Sequence, residues 1–173
     1  MKDDLVLLVV GSGGREFAVA KKLKESPHVK TVYCAPGNVG MQTIGVETVP
    51  IEETDLDGLL DFAQSKHVDW TFVGPENVLC AGITDKFEKA GQKIFGPNQR
   101  AAQLEGSKDY ALRFMSKYNI PTARYETYAS AETCIAGLKN FDYPVVIKED
   151  GLAGGKGVTI AKNQDVAEET IRE

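Results

Sequence analysis

The sequence predicts a mostly parallel α/β domain at the start of the chain, followed by the first part of a second, α+β domain. Within the first hundred residues, apolar runs of strand length alternate with segments of helical periodicity. Three of those runs stop at turns that contain glycine. After Pro97 the pattern changes to a helical region, short strands and a glycine-rich stretch. We therefore expect domains at residues 1–103 and 104–173, the second of them incomplete.

The first domain opens with an uninterrupted apolar run at residues 5–10, which is typical of a strand buried on both faces. A helix at 15–25 and a strand at 31–35 follow. The next helix is expected to begin at Thr54, with an acidic residue three positions later. The remaining predicted elements are a strand at 70–73, one helix lined by Leu79, Ile83, Phe87 and Ala90, and a strand at 93–95.

Residues 98–118, which cross the expected domain boundary, are predicted to be helical, with Ser107 as a helix cap. The elements predicted after it are a strand at 124–128, a helix at 131–139, a strand at 144–148, a glycine-rich stretch at 151–157, a strand at 158–161 and a helix that begins near Asp165. The sequence contains no internal repeat and no low-complexity segment.

Composition narrows the class of partner. Lys and Arg number 20 against 25 Asp and Glu, a net charge of −5, whereas nucleic-acid and anionic-membrane surfaces need a basic excess. No apolar run approaches the length of a membrane span. The three cysteines lie far apart and show no metal-ligand spacing. We expect a cytoplasmic protein with reduced thiols that binds neither nucleic acid nor a membrane, in which local basic clusters could still hold a small phosphorylated ligand.

The turn Gly11-Ser12-Gly13-Gly14-Arg15-Glu16 joins the first strand to a helix. Glycines there let the backbone approach a ligand, and the N–H groups of a helix start favour an anion. A dinucleotide fingerprint fits poorly, because Glu16 stands where its last glycine belongs and Tyr33-Cys34-Ala35 provides no ribose-binding acid. The motif favours a single phosphate with Arg15 as the neighbouring cation, and a turn that needs glycine only for its geometry remains the alternative.

Two other turns lie at strand ends, Pro36-Gly37-Asn38 and Gly74-Pro75-Glu76. In parallel α/β sheets ligands bind beyond the carboxyl ends of strands, so we expect all three turns to meet at one crevice. Glu76 could accept a hydrogen bond from a sugar hydroxyl or an amine. Both Glu76 and Asn38 also occur as ordinary turn residues, and the sequence alone leaves that choice open.

The glycine-rich stretch has a lysine on each side of its first glycines. Lys148 ends an apolar strand, a costly position for an unpaired charge, and Lys156 lies among four glycines. Such a loop can fold over a triphosphate, with backbone N–H groups and Lys156 against the charge. It is no Walker motif, because a strand follows it. Lys108 occupies the first turn of a helix, where a cation is disfavoured, which hints at a phosphate partner. A flexible hairpin with solvated lysines is the alternative.

These motifs together resemble a known family. The strings VVGSGGRE, APGN, VGPE, AGI, KIFGP, AAQLEGSK, FM, IPTA.YE and VIK.DGLAGGKGV occur here in the order and with the gaps found in phosphoribosylamine–glycine ligases, also called glycinamide ribonucleotide synthetases. The resemblance covers essentially the whole chain. It implies a Rossmann-like domain that precedes an ATP-grasp domain, of which residues 104–173 are the first part. It also implies an enzyme of purine biosynthesis that joins 5-phosphoribosylamine to glycine with ATP through a glycyl phosphate.

The resemblance assigns residues to two sites. The ATP-binding residues it implies are Lys108, Lys148, Gly154, Gly155, Lys156 and Gly157. The substrate-binding residues it implies, together with the turns identified above, are Gly13, Gly14, Arg15, Glu16, Asn38, Pro75 and Glu76. No catalytic residue and no metal ligand is assigned, because the family's ligands for Mg²⁺ or Mn²⁺ are expected beyond residue 173. The piece alone is expected to be inactive and to bind ATP weakly.

The chain departs from the family pattern in two segments. The family usually has His after GRE, and this chain has Phe17; it usually reads GPEAPL, and this chain has Asn77 and Val78 after Glu76. Three alternatives remain: another ATP-grasp carboxylate–amine ligase of purine metabolism, a nucleotide-binding module without chemistry, and a dehydrogenase that binds NAD(P). Glu16 and the missing ribose acid disfavour the last of these.

Overall fold

A computed structural model of the protein describes residues 3–173. The chain falls into two compact units, the first ending at Gln103 and the second comprising Leu104–Glu173. None of the helices in residues 3–173 has the length and apolar character needed to cross a membrane.

Residues 3–173 form seven strands and nine α-helices. The strands are β1 (Leu5–Gly11), β2 (Val29–Pro36), β3 (Glu47–Thr48), β4 (Trp70–Val73), β5 (Ile94–Phe95), β6 (Val145–Lys148) and β7 (Val158–Ala161). The helices are α1 (Gly14–Lys24), α2 (Val39–Gln42), α3 (Leu56–Ser65), α4 (Glu76–Cys80), α5 (Ile83–Lys89), α6 (Gln99–Gly106), α7 (Lys108–Lys117), α8 (Ala131–Gly137) and α9 (Gln164–Arg172). A 3₁₀ turn at Leu138–Asn140 follows α8.

The first unit is a five-stranded parallel sheet in the order β3-β2-β1-β4-β5. This confirms the predicted parallel α/β fold. Successive residues of β1 contribute to two cores: Leu8 and Val10 belong to the cluster that includes α3 and α5, and Val9 belongs to the cluster that includes α1. A strand with helices on both faces must be apolar throughout, which is why residues 5–10 carry no polar side chain.

The strand order places a topological switch point in the first unit. From β1 the chain proceeds outward through β2 to β3, and it then returns to β4 on the other side of β1 and continues to β5. The connections that leave β1 and β4 therefore diverge to opposite sides of the sheet. In open α/β sheets a crevice forms at such a point, at the carboxyl ends of the strands. Here those ends are followed by the Gly11–Glu16 turn and by Gly74-Pro75-Glu76.

The second unit contains the antiparallel pair β6–β7, with Val145 opposite Ala161 and Lys148 opposite Val158. One face of the pair packs on α9 and the 3₁₀ turn. The buried residues of this small core are Leu138, Ala161 and Ala167. On the other face Val146 and Ile160 are exposed. The alternation follows from the two-residue period of a strand, because neighbouring side chains point to opposite faces.

Several predicted elements need correction. The single helix expected after β4 is two helices, because Gly82 adopts a left-handed conformation (φ 91°) between α4 and α5. The cap of α3 is Asp55 and not Thr54, since the Asp55 carboxylate accepts the N–H of Gly58 at 2.9 Å. The predicted helical region 98–118 is divided at Ser107, whose hydroxyl accepts the Tyr110 N–H at 3.1 Å, so that predicted cap is confirmed.

Residues 124–128 were predicted as a strand and form none in the described part of the chain. Their backbone has no strand partner, because the sheet of the second unit consists of β6 and β7. Side chains hold the segment instead. The Glu126 carboxylate accepts hydrogen bonds from the Tyr128 hydroxyl and, at 3.1 Å, from the Asn140 amide. β-Propensity alone produced the wrong prediction, since a strand also requires a paired ladder.

Candidate functional site

Three turns meet at the carboxyl edge of the parallel sheet. The Gly37 N–H donates to the Gly11 carbonyl at 3.1 Å, and the Gly74 N–H donates to the Val10 carbonyl at 3.2 Å. The turns that follow β2 and β4 are thus both hydrogen-bonded to the end of β1. Parallel pairing places the ends of these strands side by side, and the backbone hydrogen bonds hold the turns together there.

Asn38 links two of the turns through its side chain. Its amide nitrogen donates to the Ser12 carbonyl at 2.7 Å, while its amide oxygen caps α2 by accepting the Gly40 N–H at 2.9 Å. Both ends of the amide are therefore in use within the protein. Asn38 lies at the predicted position beside the Gly11–Glu16 turn, where it fixes the backbone of that turn.

Arg15 and Glu76 form a two-point ion pair across the switch point. Arg15 Nη1 donates to Glu76 Oε1 at 2.7 Å, and Nη2 donates to Oε2 at 3.2 Å. The side chains are 65% and 38% exposed, so the pair lies open to solvent. The hydrogen bond from Arg15 lowers the pKa of the Glu76 carboxyl below its ordinary value. A cation and a carboxylate from two different strand ends are thus adjacent, in bidentate geometry.

Glu16 lies inside the turn instead of at its surface. It is 3% exposed, and its Oε2 accepts the Gly13 N–H at 2.7 Å. Its Oε1 is buried without a hydrogen-bond partner among the described residues and lies 3.9 Å from Arg15 Nε. Gly13 caps α1 and Glu16 is the third helical residue, the position from which a Glu side chain returns to the cap. That spacing could have identified the role of Glu16 from sequence.

The two glycines at the start of α1 differ in their surroundings. A β-carbon on Gly13 would lie 2.8 Å from Glu16 Oε2, so Gly13 leaves room for the buried carboxylate. At Gly14 no atom lies within 4 Å of the equivalent point, and the first turn of α1 is open on that side. Pro75 is the cap residue of α4, and its Cγ would lie 2.9 Å from a β-carbon on Gly11. Gly13 and Pro75 therefore shape the turns, while Gly14 leaves space in front of the helix.

The glycine-rich stretch connects β6 to β7 as a loop. Its base is closed by the hydrogen bond from the Glu149 N–H to the Gly157 carbonyl at 2.9 Å. Gly151, Gly154 and Gly155 have φ values of 94°, 56° and 80°, and open space surrounds the point where each β-carbon would lie. These three positions need glycine for their backbone conformation. The loop can therefore present its N–H groups without side chains in front of them.

The structure brings one of the three predicted nucleotide lysines to the base of this loop. Lys108 Nζ donates to the Gly151 carbonyl at 2.7 Å. Lys148 and Lys156 are exposed, at the end of β6 and within the loop. Asp150 was not predicted, and it is the residue that joins the loop to α7. In the sequence Asp150 is only a carboxylate next to the glycine-rich stretch. Its role could not be predicted from that position, because the contact with the start of α7 depends on the fold.

No metal site forms within the described residues. Residues 3–173 contain no group of three His, Cys, Asp or Glu side chains close enough to hold a metal ion. The three cysteines are free thiols, and Cys34 is fully buried with its Sγ 3.3 Å from the Gly11 carbonyl.

Two family descriptions match the chain one after the other. "Phosphoribosylglycinamide synthetase, N domain" matches residues 5–105, and "Phosphoribosylglycinamide synthetase, ATP-grasp (A) domain" matches residues 106–173. The phosphoribosylamine–glycine ligase of Lactococcus lactis is 52% identical over 165 residues, which are 95% of this chain and 40% of that relative. The one of Listeria innocua is 53% identical over 161 residues. The chain spans about 40% of the length of the curated relatives it matches.

Solved structures agree with this fold. A phosphoribosylamine–glycine ligase from Thermotoga maritima is 33% identical and superposes with a TM-score of 0.72, over 97% of this chain and 38% of its own. The ADP complex of an N5-carboxyaminoimidazole ribonucleotide synthetase gives a TM-score of 0.75 at 17% identity, over 99% of this chain and 45% of its own. The second likeness concerns the fold alone.

Proposed function

We propose a function from one premise: the chain belongs to the phosphoribosylglycinamide synthetase family. In this proposal the chain supplies the sugar-phosphate site and the nucleotide loop of a ligase of purine biosynthesis. The reaction joins 5-phosphoribosylamine to glycine with ATP and yields glycinamide ribonucleotide, ADP and phosphate. The observation that supports it best is the meeting of Arg15, Glu76 and the open start of α1 at one switch point.

The sugar-phosphate site follows from that geometry. The first N–H groups of α1 lack intrahelical partners and carry the positive end of the helix dipole, so they attract an anion. The space beside Gly14 admits a phosphate there, next to the Arg15 guanidinium. Glu76 would accept a hydrogen bond from a ribose hydroxyl or from the amine. Asn38, Pro75 and Gly13 hold the surrounding turns in place.

Glu16 acts differently in this proposal from the other residues of its motif. Its carboxylate is buried and bonded to the Gly13 N–H, so it supports the turn and does not touch the sugar phosphate. A second negative charge facing the phosphate would also oppose binding. We therefore assign substrate contact to Arg15 and Glu76 and a supporting role to Glu16.

The second unit would hold ATP. Lys108 and Lys148 would contact its phosphates, and Gly154, Gly155, Lys156 and Gly157 would close over them. A glycine carboxylate oxygen would attack the γ-phosphorus, with ADP as the leaving group, to form glycyl phosphate. The amine nitrogen of phosphoribosylamine would then attack the glycyl carbonyl carbon, and inorganic phosphate would leave. The lysines and loop N–H groups stabilise charge on the transferred phosphoryl group.

The reaction is expected to use Mg²⁺ or Mn²⁺. The described residues 3–173 provide no cluster of His, Cys, Asp or Glu that fits such an ion. We also propose a cytoplasmic protein that acts on small molecules, which the free thiols and the acidic net charge support.

The test separates the two ligands. Ribose 5-phosphate and a non-hydrolysable ATP analogue are titrated separately into the isotope-labelled chain, and amide shifts locate each one. Ribose 5-phosphate should shift the amide signals of residues 11–16 and 74–76. Arg15→Gln should weaken the binding of ribose 5-phosphate about tenfold, the weight of one charged hydrogen bond. Arg100→Gln, the control, should leave this binding unchanged. The analogue should shift residues 149–157 and should respond to Lys148→Met and not to Lys162→Met.

A reversed result would contradict the proposal. Binding of the ATP analogue at residues 11–14 would favour a nucleotide-binding module without ligase chemistry. Rapid glycine-dependent ADP formation by these 173 residues alone would contradict the expectation that the chain is inactive and binds ATP weakly by itself.

A further inference from the structure

The carboxylate of Asp150 lies at the N-terminus of α7. Its Oδ1 accepts the backbone N–H of Lys108 at 2.6 Å and that of Asp109 at 3.2 Å. The Ser107 hydroxyl is 3.0 Å from Oδ2 and 3.2 Å from Oδ1. The first N–H groups of a helix have no intrahelical acceptor, and the dipole favours an anion beside them. A residue of the glycine loop therefore occupies the anion position of α7.

The same helix start also holds the next residue of the loop. Lys108 Nζ donates to the Gly151 carbonyl at 2.7 Å, so Lys108 bonds Asp150 through its backbone and Gly151 through its side chain. The loop is attached at its first two residues. At Gly154 and Gly155, in contrast, no atom lies within 4 Å of the β-carbon position. One end of the loop is thus fixed and its tip is open.

We propose that Asp150 is a positioning residue for the nucleotide loop and acts through Lys108 and the start of α7. It keeps the helix start from capturing a phosphate itself, and it sets the place from which the loop closes. This inference rests on the proposed function of the loop. When a nucleotide binds, Lys108 Nζ can exchange the Gly151 carbonyl for a phosphate oxygen, while the carboxylate still holds the Lys108 backbone.

The ionised state of Asp150 agrees with this role. Partial burial works to raise the pKa of its carboxyl, but hydrogen bonds from the Asp109 N–H, the Ser107 hydroxyl and other N–H groups outweigh it and lower the pKa. The carboxylate therefore remains charged at neutral pH and accepts all of these donors at once.

Loss of the charge and loss of the anchor predict opposite effects of Asp150→Ala on nucleotide affinity. Removal of a negative charge near a triphosphate should strengthen binding if Asp150 were only a nearby charge. Loss of the helix anchor should weaken binding, since alanine has no side-chain acceptor for the Lys108 and Asp109 N–H groups. The matched control is Glu149→Ala, which removes the same charge from the preceding residue and leaves the helix anchor intact.

The experiment has two measurements on the labelled chain. Without nucleotide, Asp150→Ala should speed amide exchange at Lys108, Asp109 and residues 151–157 about fivefold, the typical weight of one helix cap, and Glu149→Ala should not. With the ATP analogue, Asp150→Ala should weaken binding about fivefold. Unchanged exchange, or tighter binding in Asp150→Ala, would overturn the positioning role.

Two further results keep the proposals separate. If the analogue shifts no residue of 149–157 in the unmodified chain, the proposed function of the loop fails, and the exchange data still decide whether Asp150 anchors it. If Asp150→Ala does not fold, acid titration of the unmodified chain replaces it. The Lys108 and Asp109 amides should then shift together with one midpoint below 3.8, the ordinary aspartate value, and separate midpoints would refute the anchor.

Discussion

The buried carboxylate of Glu16 lies so close to the backbone of Gly74 that a β-carbon at residue 74 would overlap Glu16 Oε1. A β-carbon on Gly11 would likewise lie 2.7 Å from Glu16 Cγ. Glycines of two separate motifs are therefore required by one side chain, which fills the space between the ends of β1 and β4. Glu16 thus fixes the relative positions of the turns that carry Arg15 and Glu76.

The first prediction follows from that overlap. Gly74→Ala should lower the free energy of unfolding by about 1–3 kcal/mol, the usual cost of overpacking, because Glu16 must move from its buried position. Gly14→Ala is the control, since its β-carbon meets open space, and it should change stability by no more than about 0.5 kcal/mol. Urea denaturation measures both. Equal stability of the two variants would show that the Glu16 side chain adapts freely.

The sequence predicted the first unit well because its signals are local. The continuous apolar run of β1 identifies a strand covered on both faces. Glycine marks the ends of β1 and β4. The errors have two different causes, one local and one distant. Gly82 breaks the helix after β4 through its own left-handed conformation, which periodicity does not register. The extended segment 124–128 lacks a strand partner, and residue propensity does not supply one.

The sequence identified the motifs of both candidate sites but not the residue pairs that the structure forms within them. Glycine turns and basic residues around them indicated two anion sites. The pairing of these residues could not be predicted from the sequence, because Arg15 and Glu76 are 61 residues apart and Lys108 and Asp150 are 42 residues apart. Glu16 was expected to line the substrate site, and that assignment stays a prediction. The burial of its carboxylate, together with its spacing from Gly13, supports the proposal that it holds the turn instead.

The second prediction concerns the Arg15–Glu76 pair. Glu76 competes with any phosphate for the guanidinium, so Glu76→Gln should raise the affinity for inorganic phosphate about two- to fivefold, the usual range for an exposed ion pair. The same change should lower the affinity for ribose 5-phosphate, because the sugar loses a charged acceptor. Calorimetric titration of both ligands measures the two effects.

The control for this prediction is Glu88→Gln, an equal charge change at an exposed position of α5. It should leave both affinities unchanged. If Glu76→Gln changed the affinities for inorganic phosphate and ribose 5-phosphate in the same direction and by the same factor, Glu76 would act as a general negative charge and not as a contact to the sugar.

The third prediction concerns the pH range in which the Arg15–Glu76 ion pair stabilises the folded chain. The Arg15 hydrogen bond lowers the pKa of Glu76 in the folded chain below its ordinary 4.5. A carboxyl with a lowered folded pKa contributes stability above the unfolded value and loses it as pH falls through the folded value. The difference in melting temperature between the unmodified chain and Glu76→Gln should thus be constant above pH 4.5 and shrink below it. A difference that grew on acidification would contradict the pair.

The last prediction uses Cys34 to report on Glu16. The pKa of the Cys34 thiol is raised to about 12, mainly by burial and further by the nearby Glu16 charge. The backbone hydrogen bond from Ala35 opposes this rise but is the smaller effect. At pH 8 about one thiol in 10⁴ is then ionised, so native Cys34 should resist alkylation.

The measurement uses a chain with Cys80→Ser and Cys134→Ser, in which alkylation of Cys34 should follow urea-induced unfolding. Adding Glu16→Gln removes one cause of the high pKa and should speed the native reaction. If Cys34 instead reacted at the rate of an exposed thiol in water, the tight packing between β1, β2 and Glu16 would not exist in solution. The rigid turn on which the proposed phosphate site depends would then lose its support.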